Sequence, residues 1–176
     1  MRHVRFLSVA ALVAALGVGP PTAGADSSPY RLHVQGHLGS GRAAIDLDVP
    51  WESGKAGSPF NFTEGAFDDM TLERLRWAWS ALQRVREGRA VTIATRSESI
   101  RASRWAGYLV LEPLREDHHS RIKIPDYIIE AILDNDGRLT DRDLERLVRE
   151  RGKVTLVKVN SDEGGATVWM DRARSD

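Results

Sequence analysis

The chain has 176 residues with 25 Lys and Arg, 25 Asp and Glu and no Cys, so its formal net charge is zero. With 28% charged and 41% apolar residues, the composition argues against a disordered polyelectrolyte, a membrane bundle and a globally basic nucleic-acid-binding protein. The absence of Cys excludes disulfides, thiolate metal sites and a cysteine nucleophile.

The N-terminal segment has the three-part order of a secretory signal peptide. Arg2 and Arg5 precede an apolar run over residues 6–18, which is followed by two prolines and the small residues 22–25. A membrane-spanning helix needs about 20 apolar residues, and this run is shorter. We therefore predict a signal peptide that is cleaved after Ala25, and no membrane span in the remaining chain. The Arg bias, with 21 Arg and 4 Lys, is typical of a bacterial genome. We therefore expect a periplasmic or secreted bacterial protein in which residues 26–176 form one domain.

Alternating apolar and polar residues predict a first hairpin. The alternation begins at Tyr30 and returns over Ile45–Val49, and Gly39-Ser40 suits a two-residue type II′ turn between the two strands. This turn predicts two facing pairs on the polar side of the hairpin: His33 with Asp46, and Arg31 with Asp48.

Three later segments have the periodicity and end signals of helices. The first runs from Thr71 to about Glu87 and ends at Gly88. The second spans Tyr127–Leu133 with Asp126 as its cap. The third spans Thr140–Arg151, with a capping box between Thr140 and Asp143 and a stop at Gly152. Strands are predicted around Val91 and Ile100, over Tyr108–Glu112 and Arg121–Ile124, and over Val154–Val157 and Thr167–Met170.

The order of these elements predicts an α+β fold of antiparallel hairpins that form a sheet, with two or three helices packed on it. The two halves, residues 29–105 and 107–171, each read as hairpin, helix and hairpin, and their turns, caps and hydrophobic staples recur in the same order. We interpret them as an internal duplication within one domain. Two independent small domains that divide near Ala106 are the alternative.

The second half resembles a domain found in exported bacterial proteins of uncharacterised function. The likeness runs from Tyr108 to Asp171 and rests on Arg-Ile-Lys-Ile-Pro before a short helix, Asp-Asn-Asp-Gly before a capped helix, and the closing Thr-Val-Trp-Met-Asp. These motifs are structural, so the resemblance implies no catalytic residue and no ligand.

The segment from Asp134 to Asp143 has some features of a helix–loop–helix calcium loop. With Gly137 at the sixth position, Asp134, Asp136 and Asp143 take the third, fifth and twelfth positions, but Ile132 takes the first, where a carboxylate is required. We therefore favour an ordinary interhelical loop and predict no metal site, with these three Asp residues as the only weak candidates.

Histidines and hydroxyl groups give no diagnostic catalytic pattern. His33 and His37 share one face of a strand but lie about 13 Å apart, too far to share a metal. His118 and His119 are adjacent in a loop, which is equally unspecific. No nucleophile stands at a diagnostic spacing from a base, and no motif indicates a cofactor.

Charge is distributed unevenly along the chain. Residues 71–105 contain eight Arg and three Glu, whereas residues 126–150 contain eight acidic residues and four Arg. Such segments either bind an anionic polymer or another molecule, or form two solvated faces of one domain. We favour two solvated faces.

Trp77 is the most informative residue of the basic segment. On the helical wheel it lies about 150° from the apolar stripe, beside Arg74 and Arg84. We expect the loop of residues 50–70 to cover it, with exposure as a contact anchor as the alternative. Three aromatic residues of that loop could form the cover: Phe60, Phe62 and Phe67. Trp77, Arg74 and Arg84 are therefore the candidate binding residues.

The sequence favours an exported, non-enzymatic binding or interaction module of the bacterial cell envelope. Its expected partner is an unknown protein or an anionic envelope polymer, and not nucleic acid. An exported enzyme with an unrecognised acid/base pair and a weak calcium-binding module remain the alternatives.

Overall fold

A computed structural model describes residues 28–38, 43–51, 72–94, 99–114, 119–162 and 164–173. These residues form eight strands and three helices. In chain order they are β1 (Tyr30–Leu38), β2 (Ala43–Pro50), α1 (Leu72–Gln83), β3 (Ala90–Ala94), β4 (Ser99–Trp105), β5 (Tyr108–Pro113), β6 (Ser120–Pro125), α2 (Asp126–Asp134), α3 (Asp141–Arg151), β7 (Lys153–Ser161) and β8 (Gly164–Arg172). The predicted signal peptide lies outside the described residues.

All eight strands belong to one antiparallel sheet with the order β2-β1-β8-β7-β6-β5-β4-β3. Every strand lies beside its neighbour in sequence, except that β2 and β3 form opposite edges and β1 also pairs with β8. The stretch of chain that contains α1 therefore connects one edge of the sheet with the other. The predicted α+β class and the antiparallel hairpins are confirmed.

The three helices pack on one face of the sheet. Alternate residues of the strands, such as Leu32, Val34, Leu109 and Leu111, form one hydrophobic cluster with the buried sides of α1, α2 and α3. None of the helices in the described part of the chain packs on the opposite face, which we call the open face. The open face carries the residues between the buried ones, and most of them are polar or aromatic.

The register of the first hairpin differs from the predicted one by two residues. His33 lies opposite Asp48, and Arg31 lies opposite Pro50, because Leu38 pairs with Ala43 and four residues therefore separate the two strands. The predicted turn at Gly39-Ser40 lies outside the described residues. A shift of two residues keeps every side chain on its own face, since side chains in a strand alternate with a period of two.

The third predicted helix is confirmed in detail. Thr140 Oγ1 accepts a hydrogen bond from the Asp143 backbone, the Asp143 carboxylate accepts one from the Thr140 backbone, and Gly152 ends α3 with a φ of 76°. These contacts depend on residues three or four positions apart, which is why the sequence alone indicates them.

The first two helices depart from prediction at their ends. Helix α1 ends at Gln83, and Gly88, with a φ of 85°, instead donates its backbone N–H to Arg104 O at 2.9 Å. Asp126 does not cap α2; its Oδ2 atom accepts a hydrogen bond from Arg104 Nε at 2.8 Å. Gly88 and Asp126 thus form hydrogen bonds with Arg104 of β4 instead of ending or capping a helix.

The internal duplication is not confirmed. Strands β5–β8 of the second half are contiguous in the sheet, whereas the hairpins β1–β2 and β3–β4 of the first half lie at its two ends. The duplication stays a prediction from the order of elements. No helix in the described ranges is both long and apolar enough to cross a membrane.

Candidate binding surfaces

The outward side of α1 exposes the residue that the sequence singled out. Leu75 and Trp79 are buried on the inward side of the helix, but Trp77 is 57% exposed. Arg84 is exposed beyond the end of the helix, and Arg74 is half-buried and takes part in a further interaction. More than half of the Trp77 side chain is therefore exposed, although the sequence favours a cover by residues 50–70.

Phe60, Phe62 and Phe67, the predicted covering residues, lie outside the described residues. Trp77 is exposed, Glu73 lies one turn before it in α1, and Arg84 is the first residue after the end of α1. Trp and Arg are both enriched at the centre of protein interfaces. We call Trp77, Arg74 and Arg84 the α1 surface.

The basic and acidic segments of the sequence partly neutralise each other within the molecule. Arg76 of α1 lies 3.6 Å from Asp136 and donates to the backbone oxygen of Leu133 at 3.2 Å. Arg104 of β4 forms an ion pair with Asp126 of α2 at 2.8 Å. The charge asymmetry along the chain thus corresponds in part to contacts between the two halves rather than to two separate charged faces.

The aspartates of the calcium-like loop are not gathered around one point. Asp143 is buried, and its Oδ2 atom accepts hydrogen bonds from Asn135 Nδ2 at 3.0 Å and from Thr140 Oγ1 at 2.5 Å. The Asp136 side chain is 96% exposed and faces Arg76, and Asp134 is also exposed. The described residues contain no group of three or more His, Asp or Glu side chains that could hold a metal ion.

His33 occupies the acidic end of the open face. Its Nε2 atom lies 3.0 Å from Asp171 Oδ1, and its Nδ1 atom lies 3.6 Å from Asp48 Oδ1. The imidazole stacks on Trp169 with 5.0 Å between ring centroids and 5° between ring planes. Both nitrogen atoms of His33 thus face carboxylates, which leaves neither aimed at a nucleophile.

The other predicted polar candidates are dispersed. Asp46 lies opposite Gln35, two pairs further along the hairpin than Asp48. His37 is exposed, and the backbone N–H of exposed His119 donates to Asp162 Oδ2 at 3.3 Å. His118 lies outside the described residues.

Three lysines occupy the middle of the open face. Lys123 of β6 lies directly opposite Lys158 of β7, and Lys153 lies near the other end of β7. Lys158 Nζ is 5.4 Å from the ring centroid of Tyr108, and Lys153 Nζ is 4.2 Å from that of Trp169. Among the described carboxylates, none forms an ion pair with these lysines.

A β-bulge in β7 sets the direction of two of these lysines. Thr155 pairs with Trp169 and Val157 pairs with Val168, so Leu156 is an extra residue without a partner in the ladder. Lys153 and Lys158 are five positions apart and would point to opposite faces of a regular strand. The extra residue shifts the alternation of side chains by one position, so both lysine side chains lie on the open face.

Comparison with known proteins gives no guide to these surfaces. No protein-family model, no curated protein and no solved structure matches the chain.

The lysines are candidate residues that the sequence analysis missed. The scarcity of Lys, 4 against 21 Arg, was visible in the sequence, and three of the four lie on the open face, while Lys55 lies outside the described residues. The alternation of Arg121, Ile122 and Lys123 already indicates one outward lysine. The bulge that brings Lys153 and Lys158 to the same face cannot be recognised in the sequence of β7, because it depends on the pairing of β7 with β8.

Proposed function

We propose that the chain is an exported, non-enzymatic binding module of the bacterial cell envelope, and that its α1 surface binds an acidic protein partner. The observation that carries this proposal is the 57% exposure of Trp77 on the outward side of a helix whose inward side is fully used in the core. Burial of an indole in an interface contributes a large apolar area, and the neighbouring arginines favour a negatively charged partner.

The alternatives have less support from the geometry. An enzyme with an acid/base pair would place His33 beside a group it could activate, but the His33 nitrogens face Asp171 and Asp48. A calcium module would leave Asp143 free to bind metal, but Asp143 is engaged in the cap of α3 and with Asn135. The predicted signal peptide and the resemblance of the second half to a domain of exported proteins support the envelope location.

The experiment replaces Trp77 by a photo-reactive amino acid in cells, so that a protein in contact with the α1 surface becomes cross-linked and can be identified. The identified partner is then purified and titrated against the protein and against Trp77→Ala. We expect the substitution to weaken binding about 30-fold, equivalent to about 2 kcal/mol. Stability should change by no more than about 0.5 kcal/mol, as for an exposed residue.

Trp105→Ala is the matched control, because Trp105 is 61% exposed but belongs to β4. It should leave the affinity for the partner nearly unchanged. An equal loss of affinity in both variants, or a partner whose binding does not weaken with added salt, would contradict the proposed surface.

A further inference from the structure

We propose that the open face contains a second binding site, for a linear polyanion that carries a phosphate group in each repeat unit. The site consists of Lys123, Lys158 and Lys153 and is called the lysine site below. It is separate from the α1 surface and does not depend on the function proposed for that surface.

Lys123 and Lys158 form a pair of like charges across the strands β6 and β7. Two like charges directly opposite each other on neighbouring strands repel, because their Cβ atoms are only about 5 Å apart. No described carboxylate pairs with either ammonium group. An anion bound between the two side chains would convert this repulsion into two charge-assisted hydrogen bonds.

The bulge at Leu156 determines the face on which Lys153 lies. Without this extra residue, Lys153 would point into the helix-covered core side and Lys158 to the open face. Bulges are frequent next to functional sites, where they change the direction of a side chain. Here the bulge places a third ammonium group on the same face as the other two.

The spacing of the lysines favours a polymer over a single small anion. The partners of Lys158 and Lys153 in β8 are Thr167 and Asp171, which are four residue steps apart, or about 13 Å along the strand. One phosphate can bridge Lys123 and Lys158 but cannot also reach Lys153. A chain of phosphate groups that runs along β7 would contact all three.

The choice of lysine favours phosphate over carboxylate. A carboxylate is best bound by the planar, bidentate guanidinium group of Arg, which predominates among the cations of this chain. Flexible ammonium groups act as point charges and can each contact a different oxygen of a tetrahedral phosphate. The aromatic rings under Lys153 and Lys158 hold the two ammonium groups above the sheet without neutralising them.

The carboxylates of the open face limit the site. Asp171, opposite Lys153, is engaged with His33, and Glu112 forms an ion pair with Arg121 at 2.5 Å. Asp46 and Asp48 lie on β2, at the edge of the sheet. A polyanion would therefore lie along β6 and β7 and avoid the β1–β2 end.

The test titrates fluorescent linear polyphosphate with the protein and with the double variant Lys123→Gln/Lys158→Gln at about 0.1 M salt, where exposed charges are screened beyond about 10 Å. We expect the double variant to bind about tenfold more weakly and to show a smaller dependence of affinity on salt. Its thermal stability should be equal to or higher than that of the original protein, because the repulsion between the two lysines is gone. A loss of stability together with the loss of binding would overturn the assignment.

The charge-matched control is Arg142→Gln/Arg149→Gln, which removes two exposed cations from α3 on the other side of the sheet. This variant should keep its affinity for polyphosphate within about twofold, and so should Trp77→Ala. A loss in the control equal to that in the lysine variant would show non-specific attraction and overturn the site. Tighter binding of polyglutamate or of anionic lipid vesicles than of polyphosphate would also overturn it, since either result would assign the face to another class of partner.

Discussion

Tyr127 shows how much one side chain contributes to the shape of the open face. Its hydroxyl group donates to the backbone oxygen of Thr155 at 2.9 Å, at the start of the bulge in β7. The guanidinium carbon of Arg151 lies 4.2 Å from the centre of its ring. Burial raises the pKa of Tyr127 above its ordinary value of 10.0, although the positive charge of Arg151 acts in the opposite direction. The neutral phenol is therefore part of what holds the bulge.

The change Tyr127→Phe should lower the free energy of unfolding by about 1–2 kcal/mol, because Thr155 O loses its donor. Since the pKa of Tyr127 is raised in the folded protein, its contribution is complete below pH 10 and is lost as the pH rises through the folded pKa. Urea unfolding as a function of pH should thus show a decline above pH 10 that is weaker in the variant. An equal alkaline decline in both proteins would contradict this role.

The close approach of β1 and β8 depends on Gly36. A Cβ atom at this position would lie 2.5 Å from the backbone oxygen of Gly165 and 3.0 Å from the Cβ atom of Ala166. The backbone of β8 cannot move away without loss of its hydrogen bonds to β1, because the two strands pair over nine residues. Gly36 therefore has a steric role.

We expect Gly36→Ala to destabilise the protein by about 1–3 kcal/mol, the usual cost of overpacking. Chemical denaturation measures this, and amide hydrogen exchange should show faster exchange in β1 and β8 than in β5. The neighbouring change Gln35→Ala is the control, because Gln35 is exposed and should tolerate the substitution. A Gly36→Ala protein as stable as the control would mean that the strands adjust freely.

Arg104 connects parts of the molecule that are distant in sequence. It lies in β4, forms an ion pair with Asp126 of α2 at 2.8 Å, and stands over the ring of Trp79 of α1 at 5.6 Å. The Asp126 side chain is largely buried, whereas the Asp136 carboxylate of the Arg76 pair is 96% exposed. The first pair should therefore contribute to the stability of the whole fold, and the second should contribute little.

Arg104→Met should lower the free energy of unfolding by about 1–3 kcal/mol, since it leaves a partly buried carboxylate without its partner. Arg76→Met is the matched control and should cost no more than about 0.5 kcal/mol. A double-mutant cycle with Asp126→Asn separates the ion pair from the packing on Trp79. Equal losses in the Arg104 and Arg76 variants would refute the distinction between the two pairs.

Local patterns in the sequence determined the class of fold and most of its elements. The alternation around Leu32 and Leu109 identifies strands and their buried faces, and the Thr140–Asp143 capping box identifies α3 to the residue, because these signals depend on neighbours within a few positions. The same kind of reasoning identified Trp77 as lying opposite the buried stripe of α1. Whether it would be covered was a tertiary question: Trp77 is 57% exposed, and the predicted covering residues lie outside the described residues.

The tertiary structure decided what depends on partners far along the chain. Backbone hydrogen bonds between distant strands determine the order of the strands and the pairing of β1 with β8. The two-residue shift of the first hairpin also depends on this pairing across the sheet. The lysine site belongs here too, because Lys123 meets Lys158 only through the pairing of β6 with β7, and Lys153 joins them only through a bulge against β8. The periodicity of apolar and polar side chains can be recognised in the sequence, but register and bulges depend on the strand with which each strand pairs.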